Sequence, residues 1–289
     1  MIDGLIVKGI AGFYYVKTES GTYQCKARGI FKKNGITPMV GDNVKIQVLE
    51  DGGAVIGEIG DRKNAFVRPP VSNVEAFIIV VSATKPEPNF LIIDRFLVMA
   101  EKNKTQVIVC VNKIDVAAPE KVQYIDEIYG GIYPTVHVSG ETGDGICELI
   151  KKLGSMKCAL AGPSGVGKST LLNAMDPSIS VETGEISKKT DRGKHTTRHA
   201  EIFEASFGAM IFDTPGFTSF EGVDTEPETL QHFFPEIDKW YGKCKYNDCN
   251  HLSEPGCMVR EAVEAGKIHR SRYSSYVELY REVKEKRVY

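Results

Sequence analysis

Two short runs carry residue types that could grip one nucleotide from opposite ends. GPSGVGKS at 162–169 fits the pattern G-x-x-x-x-G-K-[ST] without a mismatch. Its glycines let the backbone curl until N–H groups face phosphate oxygens. The run KCALA before it reads as a strand and STLLNAM after it as a helix, whose positive end points at the same place. Gly162, Pro163, Ser164, Gly165, Val166, Gly167, Lys168, Ser169 and Thr170 are therefore expected to wrap the phosphates. Lys168 would reach the β- and γ-phosphates, and Ser169 would offer its hydroxyl to Mg²⁺. At the other end, NKID at 112–115 follows the apolar run QVIVCV. A carboxylate at Asp115 can accept from both N1–H and the 2-amino group of guanine. Adenine presents neither donor, so the carboxylate selects GTP over ATP by up to roughly 10⁴-fold. The Lys113 stem can cover the base, Asn112 can tie this loop to the phosphate loop, and Ser139–Gly140 in SGET can supply a backbone donor to the guanine O6.

Hydrolysis needs further groups. DTPG at 213–216 ends the run AMIFDT, so Asp213 is placed to hold Mg²⁺ through its water shell and Gly216 to sense the γ-phosphate. Between the phosphate loop and DTPG lies GKHTTRH at 193–199, where Thr197 is the expected second hydroxyl on Mg²⁺ and Thr196 the alternate. Phe217 follows DTPG where many GTPases carry a water-orienting glutamine. An apolar ring cannot do that work, so unassisted turnover should be slow, of the order of 10⁻⁴ to 10⁻² s⁻¹. His195 is the nearest replacement, able to orient water once a partner orders the loop, with His199 a weaker candidate.

Seven cysteines are present, four scattered and three crowded into CKYNDCNHLSEPGC. Cys244, Cys249, His251 and Cys257 offer three thiolates and one imidazole, a set suited to tetrahedral zinc with no open position and hence a structural role. The spacing follows no common finger template, and a redox-sensing thiol cluster is the rival reading.

The elements that must position these groups fall into three parts. Residues 1–68 read as five short alternating strands broken at NG, GD and DGG, suiting a small oligonucleotide-binding or SH3-like barrel. Lysines and arginines there interleave with Phe13, Tyr14, Tyr15, Tyr23 and Phe31, a composition that can grip RNA or cover an aromatic core. Residues 69–220 alternate apolar strands with helices, the pattern of a parallel sheet covered on both faces. Residues 221–289 read as mainly helical, with an apolar stripe at Tyr273, Tyr276, Val277, Tyr280 and Val283 and a basic ending that includes Arg272. That last helix either docks on its own domain or meets RNA.

The base loop precedes the phosphate loop, the reverse of the ordinary order. Such sites are built from loops at the carboxyl ends of parallel strands, so spatial convergence matters and chain order does not. Joining the old termini through the helix at 143–154 gives a circular permutation with the site intact.

Net charge is −2 over 289 residues, which argues against an all-over basic nucleic-acid binder. The first residues lack the marks of a signal peptide, and no apolar run reaches membrane-span length. Together with the scattered thiols this makes a cytoplasmic protein, without membrane contact, the expectation.

Permuted motifs, a leading barrel and a trailing cysteine cluster together closely resemble the ribosome small-subunit-dependent GTPase A family, over essentially the whole chain. The resemblance implies an oligonucleotide-binding (OB-type) barrel, a permuted P-loop GTPase domain and a helical zinc-binding domain. It also implies zinc at the cysteine cluster, the G-[RK]-H-T-T histidine at His195, and action late in assembly of the small ribosomal subunit, whose rRNA the flanking domains contact and which stimulates GTP hydrolysis. A monomer is the expected state. The competing reading is a GTP-gated protein that binds non-ribosomal RNA and hydrolyses GTP incidentally.

Overall fold

Alternation of apolar and polar residues gives each early strand one inward face. The computed structural model describes residues 1–50, 53–179, 200–213, 217 and 223–286. Strands β1 (Ile2–Ile10), β2 (Phe13–Thr18) and β3 (Gly21–Ala27) form an antiparallel meander. A short helix α1 (Gly29–Lys33) leads to β4 (Asn43–Val48) and β5 (Ala54–Ile59). β5 pairs antiparallel with β4 and parallel with β3, and β4 returns antiparallel to β1. The ring is closed, which removes free edges and is the OB-type arrangement. Ile6, Val16, Cys25, Val44, Ile46 and Ile56 are buried within it. Gly4 is needed in β1 because a Cβ there would collide with Val16 Cγ1 and lie 2.8 Å from the Lys17 carbonyl oxygen. A hairpin of β6 (Ala65–Phe66) and β7 (Val71–Ser72) follows. It is held by buried Asp42, which accepts from Arg62 Nε at 2.7 Å and Ser72 Oγ at 2.6 Å.

The chain then alternates through β8 (Ala76–Ser82), α2 (Phe90–Lys102), β9 (Gln106–Asn112), α3 (Pro119–Tyr129), β10 (Thr135–Val138), α4 (Ile146–Leu153), β11 (Lys157–Ala161) and α5 (Lys168–Met175). Every residue of β8 is buried, as expected of a strand covered on both faces. β8, β9 and β10 lie side by side. β9 and β10 run parallel, with Val138 opposite Asn112, so the loops after the two strands leave the sheet together. β12 (Glu201–Glu204) and β13 (Met210–Asp213) are antiparallel; β13 runs parallel to β11, and β12 meets β1 at the Lys8–Glu201 ion pair, 2.6 Å. The base-loop strand thus precedes the phosphate-loop strand, and the domain is a circularly permuted α/β P-loop fold.

After Pro227–Phe233, a 3₁₀ segment, come α6 (Pro235–Asp238), α7 (Met258–Glu264) and α8 (Arg270–Lys286). Leu230, Phe234, Ile237, Val259, Ile268, Tyr276, Leu279, Tyr280 and Val283 form one buried cluster, joined by Val98 of α2. Three residues of the expected stripe, Tyr276, Tyr280 and Val283, are in it; Tyr273 and Val277 pack at its margin. α8 is therefore docked by one face. Arg270, Arg281, Lys284 and Lys286 remain exposed, whereas Arg272 is fully buried.

Two compact units result: residues 1–76, 150–160 and 176–217 make one, and 77–149, 161–175 and 218–289 the other. The loops described next, around Asn112, Ser139 and Gly162–Thr170, and the cysteine cluster all belong to the second.

Candidate functional site

Lys113 sits in the left-handed region, φ 68°, and starts a 3₁₀ turn, Ile114–Val116, that holds Asp115 at the surface. Asn112 just before it is buried and joins three loops. Its Nδ2 donates to the Val166 carbonyl at 2.9 Å, and its Oδ1 accepts from the Gly140 N–H at 3.0 Å. Lys113 Nζ donates to the carbonyls of Lys85 at 2.6 Å and Gly165 at 2.8 Å, laying its stem along the phosphate loop. Gly167, at φ +96°, must be glycine twice over, because a Cβ would come within 2.5 Å of Asn112 Nδ2. Gly162 is similar: φ is +145°, and a Cβ would lie 2.5 Å from the Val80 carbonyl oxygen of β8.

The loop after β10 is self-braced. Buried Ser139 accepts from the Thr142 N–H through Oγ at 3.0 Å and from the Gly143 N–H through its carbonyl at 2.9 Å. A cleft of about 200 Å³ opens between the loops, lined by Asn112, Lys113, Asp115, Ser139, Gly140, Gly167 and Thr170. Glu141 of SGET also lines it, as does Val116, a residue type that marks no base-binding position and that motif spacing does not reveal.

α5 begins at Lys168, so its N-terminus faces the loop it follows. Lys168 Nζ donates to the carbonyls of Gly162 at 2.8 Å and Pro163 at 2.7 Å. Burial lowers its pKa to about 8, because desolvation penalises the ammonium. A polyphosphate beside it would offset that penalty. Ser169 and Thr170 are half-buried in the first turn. Asp213 ends β13 in the other unit. His195, Thr196, Thr197, His199 and Gly216 lie outside the described residues. Phe217 is buried, edge-to-face with Phe66 at 5.7 Å between centroids.

The cysteine cluster is assembled: the ligand atoms of Cys244, Cys249, His251 and Cys257 all lie within 4.8 Å of one another. The three Sγ atoms are 3.5, 3.4 and 3.4 Å from His251 Nδ1. Tetrahedral zinc, with bonds of about 2.3 Å to sulfur and about 2.0 Å to nitrogen, would put sulfur and nitrogen about 3.5 Å apart. His251 Nε2–H donates to Gln231 Oε1 at 2.8 Å, leaving the Nδ1 lone pair toward the sulfurs. Burial lowers the His251 pKa, keeping the ring neutral, and pushes the Cys249 thiol up to about 12. Ionised thiols there need a cation, so the donor set fits a metal. Gln231 is a supporting residue that ligand spacing could not reveal. The loop is pinned from α8 by Tyr273 Oη donating to the His251 carbonyl at 2.7 Å and Tyr276 Oη to the Asn250 carbonyl at 2.9 Å.

A phosphate loop joined through one asparagine to a guanine-selecting carboxylate loop defines a P-loop guanine-nucleotide-binding protein. The RsgA GTPase family matches residues 59–223, and the RsgA N-terminal domain family matches residues 3–56, the barrel. A protein of Caldanaerobacter subterraneus called small ribosomal subunit biogenesis GTPase RsgA is 47% identical over 99% of this chain and 97% of its own length. One of the same name from Geobacillus kaustophilus is 42% identical over 99% of both. Among solved structures, YjeQ from Thermotoga maritima superposes with a TM-score of 0.85 at 39% identity, covering 98% of each chain. YloQ, described as a circularly permuted GTPase, gives 0.82 at 38% identity, covering 99% of this chain and 96% of its own. The chain belongs to the RsgA GTPase family and is a GTP hydrolase.

Proposed function

We propose that this protein hydrolyses GTP during late maturation of the small ribosomal subunit and that the subunit stimulates it. The Asn112 bridge is the observation that carries this reading: it joins base loop and phosphate loop in a chain 47% identical to a protein named as a small ribosomal subunit biogenesis GTPase. In hydrolysis water attacks the γ-phosphorus, and the bond to the β–γ bridging oxygen breaks. Asp115 fixes the base, Lys168 and the N-terminus of α5 hold the phosphates, and His195 orients the water. Ser169, Thr197 and Asp213 would hold Mg²⁺, which when bound neutralises charge on the β- and γ-phosphate oxygens.

The flanking domains, residues 1–68 and 221–289 around a GTPase domain at 69–220, contact the subunit and its rRNA. The exposed cations of α8 support this, as does Trp240, which has Lys243 and Lys267 over its ring at 5.4 and 5.6 Å. The cysteine cluster holds structural zinc. The protein works as a cytoplasmic monomer; among the described residues no helix is long and apolar enough to cross a membrane.

GTP turnover measured alone, with purified small subunits, with large subunits and with unrelated structured RNA tests the proposal. Small subunits, and neither of the other additions, should accelerate turnover by at least about 10²-fold, a threshold set below the roughly 10³- to 10⁵-fold that partner-supplied assistance reaches. Equal acceleration by any RNA, or none by the subunit, would overturn it.

A further inference from the structure

Arg272 carries a full charge with none of its side chain exposed. Its Nη1 donates to Asp94 Oδ1 of α2 at 2.6 Å. On the other side, Nε and Nη2 donate to the Glu236 carboxylate of α6 at 2.6 and 3.2 Å. Phe234 lies 4.6 Å from the guanidinium carbon and Tyr129 of α3 5.7 Å, and the Tyr129 hydroxyl donates to the same Asp94 oxygen at 3.0 Å. One planar cation therefore ties α8 to α2, α3 and α6. Two of those helices extend the nucleotide machinery. α3 begins three residues after Val116 of the base-binding cleft, and α2 follows the loop whose Lys85 carbonyl receives Lys113 Nζ. α8 also pins the cysteine loop through Tyr273 and Tyr276. An Arg95–Glu282 ion pair adds a second α2–α8 tie nearer the end of α8.

Buried ion pairs often add little stability over apolar packing of the same volume. What a forked guanidinium clamped on both edges does add is a single permitted orientation. We propose that Arg272 is a positioning residue that couples the cysteine-bearing module to the base-binding loops, so that a partner seated on the module alters nucleotide handling. The partner in that clause rests on the function proposed above; the coupling does not.

Coupling is reciprocal, so nucleotide must be felt at the module. Hydrogen exchange over 244–257 is compared with and without GDP in the wild type, in the apolar triple variant Asp94→Leu/Glu236→Met/Arg272→Met and in Arg272→Lys. GDP should slow exchange there about fivefold or more in the wild type and leave it nearly unchanged in both variants. GDP affinity should stay near wild type. If the triple variant does not fold, Arg272→Lys, which keeps the charge and loses the fork, decides. Small-subunit-stimulated kcat should fall about tenfold or more with the half-saturating subunit concentration little changed, a split that loss of a docking surface would not give. Wild-type slowing by GDP in either folded variant, or none in the wild type, would overturn the coupling. A wild type not stimulated by subunits would overturn the proposed function while the exchange comparison still judges Arg272.

Discussion

Removing the Asn112 side chain should damage both ends of the nucleotide site at once. Asn112→Ala orphans the Val166 carbonyl and the Gly140 N–H, which the amide satisfies at 2.9 and 3.0 Å. An orphaned buried polar group costs about 1–3 kcal/mol. Val166 is buried, but Gly140 is only half-buried and water can recover part of its share. A total of about 2–4 kcal/mol follows, and if it falls on the bound arrangement, GDP affinity drops about 30- to 700-fold. Asn112→Asp should be no better, because it keeps an acceptor for Gly140 while setting a carboxylate against the Val166 carbonyl. Gly167→Ala acts on the same contact by displacing Nδ2, so its cost should shrink in the Asn112→Ala background. Titration with a fluorescent GDP analogue, paired with urea denaturation, separates affinity from stability. An Asn112→Ala protein with affinity within threefold of wild type and unchanged stability would show that the bridge does not hold the site together.

Other consequences are equally open to measurement. Lys168 is charged below its pKa of about 8 and gains an anion on binding. GDP affinity should thus be flat below pH 8 and fall above it, with proton uptake near pH 8 by calorimetry in two buffers; a flat profile to pH 9.5 would count against Lys168 as the phosphate ligand. Gln231→Leu should weaken metal affinity about 10- to 100-fold by freeing the His251 ring, read by chelator competition. Full metal removal should expose Cys244, Cys249 and Cys257 to a thiol reagent, while unchanged reactivity would argue against a metal. His195→Ala should keep GDP affinity and lose about 10²- to 10⁴-fold of stimulated turnover. Wild-type stimulated rates in that variant would remove His195 from the mechanism.

The parts legible in the sequence are those whose chemistry is local. GPSGVGKS declares itself because loop, lysine and helix start are contiguous, and the early strands because alternation marks their inward faces. Barrel closure by the parallel β3–β5 pair and the β4–β1 return left no mark, since pairing partners are chosen across tens of residues. Alternation alone suits OB-type and SH3-like barrels equally, and the strand pairing decides for the OB type. Arg272 read as one more cation in a basic ending; only the convergence of Asp94 and Glu236, from distant parts of the chain, makes it a core residue. Gln231 was invisible for the same reason, lying twenty residues from the imidazole it orients.

Loops placed out of customary order build one guanine site around Asp115. Calorimetric titration of wild type and Asp115→Asn with GDP, ADP and xanthosine diphosphate tests it most directly. Wild type should prefer GDP over ADP by about 10³-fold or more, and Asp115→Asn should turn to xanthosine diphosphate. An Asp115→Asn protein that still prefers GDP by the wild-type margin would mean that Asp115 does not read the base.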